Sequence, residues 1–494
     1  MLETLKSKFL RTAPAFFAMF LFWPSVSRAG DDPLRKSLVK IFSTLQNPNY
    51  YEPWRVGPQE NVSGSGCVIL GNRILTNAHV VSNSIFIQVL KDGDSKKYTA
   101  RREFVAHDCD LAILRVEDPG FFRGTRPVKF GGLPSLKDKV EVYGYPVGGE
   151  ELSITEGGIS RIEVINYSHS MRNLLGIQTN AAINPGNSGG PVFNHKKMVG
   201  VAFQGYNGAV AQNTGYIVPV QLIQRFLAQI RKGGYSPVPT LGLYAESMEN
   251  DSLRSYYGMK SSQTGLLVSK VTYGSSSWGT IKENDVLLAL DGYPLSNDGT
   301  IRPRKGMQLN FTYPLCLHRI GDKMTLKVLR DKKVLKLFVT LKDDARLVPF
   351  IQYDRDPTYF IMDGLVFTPL NANYFQTTKE MPPNFMPLYF NGLPSADQKQ
   401  IVLMSHILSH EINKGYGSKY ANLVVEKVNG VHISQMKDLI RAFGKAQDGR
   451  HVVEFDNPVE VGTKIVLDAS KSAQATREIL AQNNIPDDRS KDLK

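Results

Sequence analysis

Short apolar or alternating segments, each broken by glycine, proline, asparagine or aspartate, recur from Ser37 to Val218. Examples are DLAILRV, KVEVYGYPV and KMVGVAFQG. Closely spaced strands with turn residues between them are typical of an all-β sandwich or barrel. One amphipathic helix follows, with apolar residues at helical spacing: Val220, Ile223, Phe226, Leu227 and Ile230. We therefore predict a mostly β unit that ends at this helix, before a linker from Lys232 to Pro239.

The length and composition place this β-rich unit in a larger soluble chain. The sequence has 494 residues, 42% hydrophobic and 21% charged, which at about 150 residues per domain predicts roughly three domains. Three cysteines exclude a disulfide-rich scaffold and a cysteine-rich metal protein. The net charge of +13 comes from scattered basic residues, so we expect no nucleic-acid partner. Peripheral association with an anionic membrane stays open.

The amino terminus has the pattern of a secretory signal peptide. Basic residues precede an apolar run from Pro14 to Trp23, and a small-residue site follows at Ser27-Arg28-Ala29. The run is shorter than the roughly 20 residues of a membrane span, although an uncleaved anchor is the alternative. We predict a signal peptide over residues 1–29 and an exported protein, periplasmic or otherwise secreted.

Two later segments are degenerate copies of each other. Each begins with glycine and three apolar residues, Gly265-Leu266-Leu267-Val268 and Gly364-Leu365-Val366-Phe367, and each later reaches an apolar run ending in Asp-Gly or Asn-Gly. The second copy is longer by about 39 residues. A polar stretch from Asn371 to Gln400 accounts for the difference, and we predict that it is an insertion.

The strongest chemical signal is the motif around Ser188, Asn-Pro-Gly-Asn-Ser-Gly-Gly-Pro over residues 184–191. Glycines on both sides let the backbone turn sharply, so that the amides of Gly186 and Ser188 converge on the oxygen of a carbonyl attacked by Ser188 Oγ. Such amides would form an oxyanion hole. An ordinary glycine-serine turn is the structural alternative.

A serine nucleophile needs a base and an acid that orients the base. His79 follows an apolar strand in Thr-Asn-Ala-His-Val, and Asp110 opens the apolar strand Leu-Ala-Ile-Leu. Asp108 is the rival acid, but we expect it in a solvated turn, and we expect His107 to be exposed. The order His79, Asp110, Ser188 is that of chymotrypsin-like proteases.

These motifs together resemble the HtrA/Deg family of serine endopeptidases, and most closely its plant-type subgroup. The resemblance implies a mostly β fold: a chymotrypsin-like double-barrel protease domain over residues 30–235, followed by two PDZ (α+β) domains. The first PDZ domain would cover residues 240–343, and a divergent second one residues 344–470. We expect residues 471–494 to be a peripheral tail.

The resemblance also implies ATP-independent proteolysis of unfolded or damaged proteins, in a homo-oligomer built from trimers. His79 would act as base, Asp110 as orienting acid and Ser188 as nucleophile. Substrate would add as a strand along residues 199–204. Metal-binding and nucleotide-binding motifs are absent from the sequence, so we expect no cofactor. The alternatives are a proteolytically silent holdase that acts through its PDZ domains and a PDZ scaffold for membrane or nucleic-acid assemblies.

Two specificity elements complete the sequence-based predictions. In this fold, residues a few positions before the nucleophile line the primary pocket, here Ala181, Ala182 and Ile183, and none is acidic. We therefore expect cleavage after Val, Ala or Leu. In the first PDZ domain, the amides of Gly265, Leu266, Leu267 and Val268 would receive the carboxylate of an apolar carboxyl-terminal peptide. The alternative is that this stretch is a core strand.

Overall fold

The structure is a computed structural model that describes residues 32–208, 211–377, 382–456 and 464–494. The predicted signal peptide lies outside the described residues. Within the described ranges, no helix is both long enough and apolar enough to cross a membrane.

The first six strands form a closed barrel in the order β1-β2-β3-β6-β5-β4. Their apolar side chains fill the barrel and are fully or almost fully buried, as for Ile41, Ile74 and Leu114. This filling is the reason that the alternating apolar segments of the sequence become strands. The strands are β1 (Leu38–Pro48), β2 (Val56–Ile69), β3 (Arg73–Thr76), β4 (Ser84–Lys91), β5 (Tyr98–Ala106) and β6 (Leu111–Val116).

A second closed barrel follows in the order β10-β11-β12-β9-β8-β7, and the predicted helix ends it. The two barrels confirm the chymotrypsin-like double-barrel fold. The elements are β7 (Lys139–Gly144), β8 (Ser153–Asn166), β9 (Asn173–Thr179), β10 (Pro191–Asn194), β11 (Lys197–Gly208), β12 (Ala211–Pro219) and α1 (Val220–Ile230).

The next unit has a six-stranded sheet in the order β13-β14-β15-β19-β20, with β16 paired to β15. Its apolar core is continuous with that of the second barrel, through Phe226 of α1 and through Leu315 and Cys316. The elements are β13 (Leu243–Ser247), α2 (Asp251–Tyr256), β14 (Leu266–Val271), β15 (Val286–Leu290), β16 (Tyr293–Pro294), a separate hairpin of β17 (Thr300–Arg304) and β18 (Met307–Asn310), β19 (Lys323–Arg330) and β20 (Lys333–Thr340).

The last unit has a seven-stranded sheet in the order β21-β22-β23-β24-β26-β27, with β25 paired to β24, and a core of its own. The predicted insertion lies between β22 and β23 and carries two short helices. The elements are β21 (Phe360–Met362), β22 (Leu365–Pro369), α3 (Ala372–Thr377), α4 (Met386–Asn391), β23 (Val402–Ile407), β24 (Leu423–Val428), β25 (Val431–His432), α5 (Met436–Phe443), β26 (Arg450–Asp456), β27 (Lys464–Asp468) and α6 (Ser472–Gln482).

The carboxyl-terminal residues differ from the peripheral tail that the sequence predicts. Helix α6 buries Ile479 completely, and Ile485 is also buried. The amide of Ile361 in β21 donates to the carbonyl of Asp488 at 2.7 Å. Residues 471–494 are therefore packed into the last unit. The prediction was wrong because the segment is mostly charged and only a few apolar residues anchor it.

Candidate active site

The predicted base and acid lie at adjacent strand ends of the first barrel. Strand β3 ends at Thr76, which pairs with Ala112 of the neighbouring β6. The turn after β3 carries His79, and Asp110 directly precedes β6. The backbone φ of Asp110 is 53°, a left-handed conformation that aspartate tolerates better than most residues. The strand pairing thus brings the two side chains together.

Asp110 holds His79 with two hydrogen bonds. One oxygen, Oδ2, lies 2.7 Å from His79 Nδ1, and Oδ1 accepts from the His79 backbone N–H at 2.9 Å. The side-chain amide of Asn77 in turn donates to the carbonyl of Asp110 at 2.7 Å. A carboxylate at Nδ1 fixes the tautomer that leaves Nε2 free to accept a proton.

The pair is electrostatically coupled. Burial lowers the pKa of His79, but the charge of Asp110 and its hydrogen bond more than offset this effect, so the pKa is raised above 6.5. Burial raises the pKa of Asp110, but the charge and hydrogen bond of His79 outweigh it and the net shift is downward. Asp110 is therefore an ionised carboxylate that stabilises the imidazolium form of His79.

The surroundings of Asp108 and His107 differ from those that the sequence predicts. Asp108 is not in a solvated turn but buried, and it accepts from the Tyr235 hydroxyl and the Val238 amide, each at 2.6 Å. It anchors the linker that follows α1. The His107 ring is half-buried rather than exposed, and its contacts are described below. Neither side chain bonds to His79 among the contacts of the described residues.

Ser188 lies in a loop that only glycine can build at two positions. Gly186 has a φ of 95° and Gly189 a φ of 86°. A Cβ at Gly186 would lie 2.4 Å from the carbonyl oxygen of Tyr145, and one at Gly189 would lie 2.0 Å from that of Ser65. Both the left-handed backbone and the close approach therefore require the glycines that flank the serine.

The amides of Gly186 and Ser188 are available as hydrogen-bond donors. Among the described residues, neither amide donates to a protein acceptor. The Pro185 carbonyl accepts from the Val147 amide at 2.8 Å. A trans peptide points its C=O and N–H in opposite directions. The bond to Val147 therefore turns the Gly186 N–H away from the loop of residues 144–149. Two free amides flanking the serine hydroxyl have the chemistry of an oxyanion hole.

Ser65, on β2, ties the serine loop to the first barrel. Its hydroxyl donates to the Gly186 carbonyl at 2.7 Å and accepts from the Tyr145 amide at 2.8 Å, and its own amide donates to the Ser188 carbonyl at 2.8 Å. The sequence analysis missed this residue. A serine in a Gly-Ser-Gly stretch of β2 carries no signal of a contact 121 residues away.

The Ser188 hydroxyl itself donates to the carbonyl of Phe203 at 3.4 Å, and no hydrogen bond joins it to His79 in the described part of the chain. Phe203 lies at a bulge, because the β11–β12 register shifts between Ala202 and Gln204. A bulge leaves its residue outside the regular ladder. The Phe203 carbonyl is thus free to face the serine.

The prediction that substrate adds as a strand along residues 199–204 is wrong for most of that segment. Gly200 and Val201 of β11 pair with β10 on one side and with β12 on the other. A strand with two neighbours has no free edge for a substrate. From Gln204 onward, β11 pairs only with β12. Only the segment after the bulge has an edge that a peptide backbone can join.

The predicted pocket residues lie directly before the serine loop. Ala181 and Ile183 are buried and Ala182 is half-buried, with its carbonyl accepting from the Thr155 hydroxyl at 2.9 Å. A Cβ built on Gly215 would lie 2.7 Å from Cδ1 of Ile183. Strand β12 therefore passes close to the Ile183 side chain, which limits the space beside it.

The predicted carboxylate-binding loop of the first PDZ domain is instead an internal strand. Leu266 and Leu267 of β14 pair with β13 on one side and with β15 on the other. The Gly265 amide donates to the Asn297 side chain at 3.0 Å and the Val268 amide to the Asp285 carbonyl at 2.8 Å. Buried side chains and occupied amides leave no donors for a carboxylate. The core-strand alternative fits this stretch.

Among the described residues, no group of three or more histidine, cysteine, aspartate or glutamate side chains is placed to hold a metal ion. Cys67, Cys109 and Cys316 are buried and unpaired. Burial raises the pKa of all three thiols. The candidate site itself combines a base, an acid, a hydroxyl and two free amides, which are the groups that a serine hydrolase uses.

Comparison with known proteins agrees with this geometry. Residues 64–201 match a family model described as a trypsin-like peptidase domain, and residues 348–492 match one described as a PDZ domain. The chain is similar to Protease Do-like 4, mitochondrial, of Arabidopsis thaliana, with 37% identity over 463 residues that cover 94% of this chain and 86% of the relative. It is also similar to Protease Do-like 2, chloroplastic, of the same plant, with 35% identity, 94% of this chain and 76% of the relative.

A solved structure described as the HtrA-type protease AlgW with tripeptide shares the fold at a TM-score of 0.50 and 22% identity, covering 63% of this chain and 96% of its own. The names of the relatives contradict the predicted periplasmic or secreted location, because they place those proteases in mitochondria and chloroplasts. Basic residues with few acidic ones also occur in organelle transit peptides, so the amino-terminal pattern did not separate the two addresses. The barrels, the serine loop and the extensive similarity to these relatives show that the chain belongs to the Do-like, HtrA-type family of serine endopeptidases.

Proposed function

We propose that this endopeptidase cleaves unfolded or damaged proteins through an acyl-enzyme, with His79, Asp110 and Ser188 as its catalytic triad. The proposal rests above all on one observation: the buried Asp110 fixes His79 at the seam where the Ser188 loop presents two free amides.

The first step is a rotation of the Ser188 hydroxyl. Its present acceptor is the Phe203 carbonyl at 3.4 Å, a long and therefore weak hydrogen bond. Turning to Nε2 of His79 costs little and places the hydroxyl proton on its base. Ser188 Oγ then attacks the peptide carbonyl, while the amides of Gly186 and Ser188 hold the negative oxygen.

The second step returns the proton. His79, now an imidazolium beside the Asp110 carboxylate, gives its proton to the leaving amine and later takes one from the water that hydrolyses the acyl-enzyme. A Phe203 carbonyl released by the serine becomes an acceptor for the backbone of the substrate, at the free edge that begins there. The Phe203 carbonyl would thus accept first from the Ser188 hydroxyl and then from the backbone of the substrate.

The test is a digestion of casein by the purified chain without nucleotide, alongside Ser188→Ala. A fluorophosphonate probe, which labels an activated serine, is added in parallel. Degradation by the wild type alone, with label on Ser188, supports the proposal. Degradation that stops when apyrase removes traces of ATP would contradict ATP independence, and label on any other residue would remove Ser188 as nucleophile.

A proteolytically silent holdase is the second candidate, and one observation favours it. Among the described contacts the Ser188 hydroxyl is bonded to Phe203 and not to His79. A chain locked in this arrangement would bind unfolded proteins without cutting them. Suppression of casein aggregation with no fluorophosphonate labelling would select this candidate.

We keep the proposal that the first PDZ unit tethers apolar carboxyl-terminal peptides, but at a different element. Among the described strands, β13 has a neighbour on one side only, β14. Peptides bind PDZ sheets by adding a strand at such an edge. The amides of Leu241 and Gly242, just before β13, have no acceptor in the described part of the chain. Free and amidated peptides ending in Val or Phe, titrated into the full chain, test whether a carboxylate is recognised.

We also propose a homo-oligomer built from trimers, as the family resemblance implies. Light scattering behind a sizing column gives the mass of the purified chain in solution. A mass that is a multiple of three chains supports the proposal, and a monomer or dimer at micromolar concentration contradicts it.

A further inference from the structure

The segment between the two PDZ sheets, residues 341–359, lies against the first barrel beside the proposed base. Asp354 accepts from the Asn83 amide at 2.7 Å through Oδ1, and its own amide donates to the Asn83 side chain at 2.7 Å. Arg102 of β5 adds an ion pair to the same carboxylate. These three contacts fix Asp354 on the protease unit, although it lies 271 residues from Asn83 in the chain.

The preceding residue, Tyr353, stacks on two histidines of the protease unit. Its ring lies 4.0 Å from that of His169, with an interplanar angle of 20°, and 5.0 Å from that of His107, with an angle of 26°. Its hydroxyl donates to the His169 carbonyl at 2.9 Å. Tyr353 therefore covers His169, which is only 7% exposed.

A chain of hydrogen bonds links the same residues. Oδ2 of Asp354 lies 2.9 Å from Nε2 of His107, and Nδ1 of His107 lies 3.1 Å from Nε2 of His169. An ionised carboxylate only accepts, so His107 carries its proton on Nε2. The contact between His107 Nδ1 and His169 Nε2 is then a hydrogen bond that needs a proton on one of these two nitrogens. The Asp354 carboxylate thus orients the His107 ring, and the His107 ring orients that of His169.

His169 also adjoins the proposed catalytic pair. Its ring centroid lies 6.2 Å from that of His79, and its charge when protonated would help to hold Asp110 ionised. The steps proposed above use neither His169 nor its three supporting residues. The arrangement nevertheless gives the base a neighbour with fixed orientation, held from outside the protease unit.

We propose that His169 is a positioning residue for the His79–Asp110 pair, and that Tyr353 and Asp354 hold it in place. The inference rests on the proposed catalytic roles of His79 and Asp110. It couples the catalytic centre to the segment that joins the PDZ units, because detaching this segment removes both the stacked cover of His169 and the carboxylate that orients its neighbour His107.

The charge on His169 explains why the cover matters. Burial lowers the pKa of His169 to about 4, despite the opposing charge of Asp110, so the ring stays neutral while His79 becomes an imidazolium during the reaction. A second positive ring at this distance would disfavour that imidazolium. The charged groups that act on His169 are Asp110, His79, His107 and Asp354. Tyr353 stacks on its ring, and Arg102 pairs with Asp354.

The experiment compares Tyr353→Ala with Tyr353→Phe, which keeps the stacked ring, in the full chain. Without its cover, His169 regains an ordinary pKa near 6.5. At pH 8.5 we expect Tyr353→Ala to lower kcat/KM by about 3-fold, because His169 loses its fixed orientation beside His79. At pH 5.5 we expect no larger fall, because His79 is already an imidazolium in the free enzyme and a charge on His169 acts equally on the free enzyme and on the transition state. Tyr353→Phe should follow the wild type at both pH values. Equal losses in Tyr353→Phe and Tyr353→Ala would show that the stacked ring does not act on the site.

Tyr51→Ala is the matched control. Tyr51 also stacks on a histidine of another unit, His406, with ring centroids 4.5 Å apart, but no contact joins it to the described site. Its kcat/KM should equal that of the wild type at both pH values. The double variant Tyr353→Ala, His169→Phe should lose no more rate than His169→Phe alone, because Tyr353 acts through His169. An additional loss in the double variant overturns the proposal.

A second readout does not depend on proteolysis. The titration of histidine ring signals, measured by NMR on ¹³C-labelled protein, should move the His169 pKa from about 4 toward about 6.5 in Tyr353→Ala. An unchanged His169 titration, or higher turnover in Tyr353→Ala, overturns the inference. Failure of the proposed function shows differently, as absence of fluorophosphonate label on Ser188 in the wild type, and leaves this titration measurable.

Discussion

The two barrels contribute halves of the candidate site that differ in how far they are assembled. The first barrel holds its half complete, with His79 bound to a buried Asp110 at 2.7 Å. The second barrel presents the Ser188 hydroxyl to the Phe203 carbonyl at 3.4 Å. The acid and base are fixed by short hydrogen bonds, while the nucleophile is held by a weak one.

This difference assigns separate tasks to the two halves. Strand pairing and buried hydrogen bonds fix the positions of His79 and Asp110 in the folded chain. The serine half depends on a glycine loop that is held from the first barrel by Ser65. A contact from elsewhere in the chain could therefore change the serine half most easily, because one long hydrogen bond holds its hydroxyl.

Removing either reacting side chain tests whether the halves work as one unit, and it should have the largest effect. We expect Ser188→Ala and His79→Ala each to lower turnover by about 10⁴ to 10⁶, and the double variant to lose no more than the worse single variant. Turnover of casein by purified proteins gives the numbers. Retention of more than a tenth of wild-type turnover in Ser188→Ala would remove the serine-protease mechanism.

Asp110→Asn breaks the first half without changing its shape. Asparagine can keep the contact with the His79 ring, but it favours the wrong tautomer and offers no charge to the imidazolium, so kcat should fall by about 10⁴. Asp108→Asn is the matched control, because that buried carboxylate holds Tyr235 and Val238 instead of the base. It should destabilise the linker and leave a larger fraction of kcat. Equal losses in kcat would show that the Asp110 carboxylate contributes no more to catalysis than the Asp108 carboxylate.

The first half was more accessible to sequence analysis than the second, for a physical reason. His79 and Asp110 sit at the ends of local apolar runs, and short-range patterns mark such positions. The Phe203 bulge, Ser65 and the Tyr353 stack depend on contacts between residues distant in the chain. Pairing with β10 left most of the predicted substrate strand without a free edge, and an internal strand took the place of the predicted PDZ loop. Glycine followed by apolar residues suits a loop and a buried strand equally well.

Acid should disable the first half before the fold is lost. The base must be neutral to accept the serine proton, and the charge of Asp110 raises the pKa of His79 above its ordinary value. Activity is then lost as the pH falls through a value above about 6.5, and kcat/KM at pH 5 should be at least about 30-fold lower than at pH 8. Circular dichroism at both pH values controls for unfolding. Equal rates would argue against His79 as the base.

Ser65→Ala sharpens the comparison, because it loosens the second half from the first. The substitution removes the hydroxyl that holds the Gly186 carbonyl, so the oxyanion amides lose orientation and kcat should fall by about 10-fold with little change in KM. Ser43→Ala is the matched control: Ser43 is also buried, and its hydroxyl has no partner among the described residues. A KM effect alone would place Ser65 in substrate binding instead.

The smallest expected effect concerns the choice of substrate by the second half. No acidic side chain occurs at Ala181, Ala182 or Ile183, so cleavage should follow Val, Ala or Leu and not Lys or Arg. Ile183→Ala removes the side chain that lies close to β12 at Gly215. The substitution removes one methylene and two methyl groups, and the space gained should shift the preference toward Leu and Phe by about 10-fold.

Mass spectrometry of digested casein counts the residues before each cut in the wild type and in Ile183→Ala. Ile154→Ala is the matched control, because its side chain is exposed on β8 in the same barrel and the change removes the same atoms. An unchanged cleavage pattern in Ile183→Ala would move the primary pocket away from this segment. A majority of cuts after Lys or Arg in the wild type would also overturn the assignment, since a basic side chain needs an acidic partner that residues 181–183 do not offer.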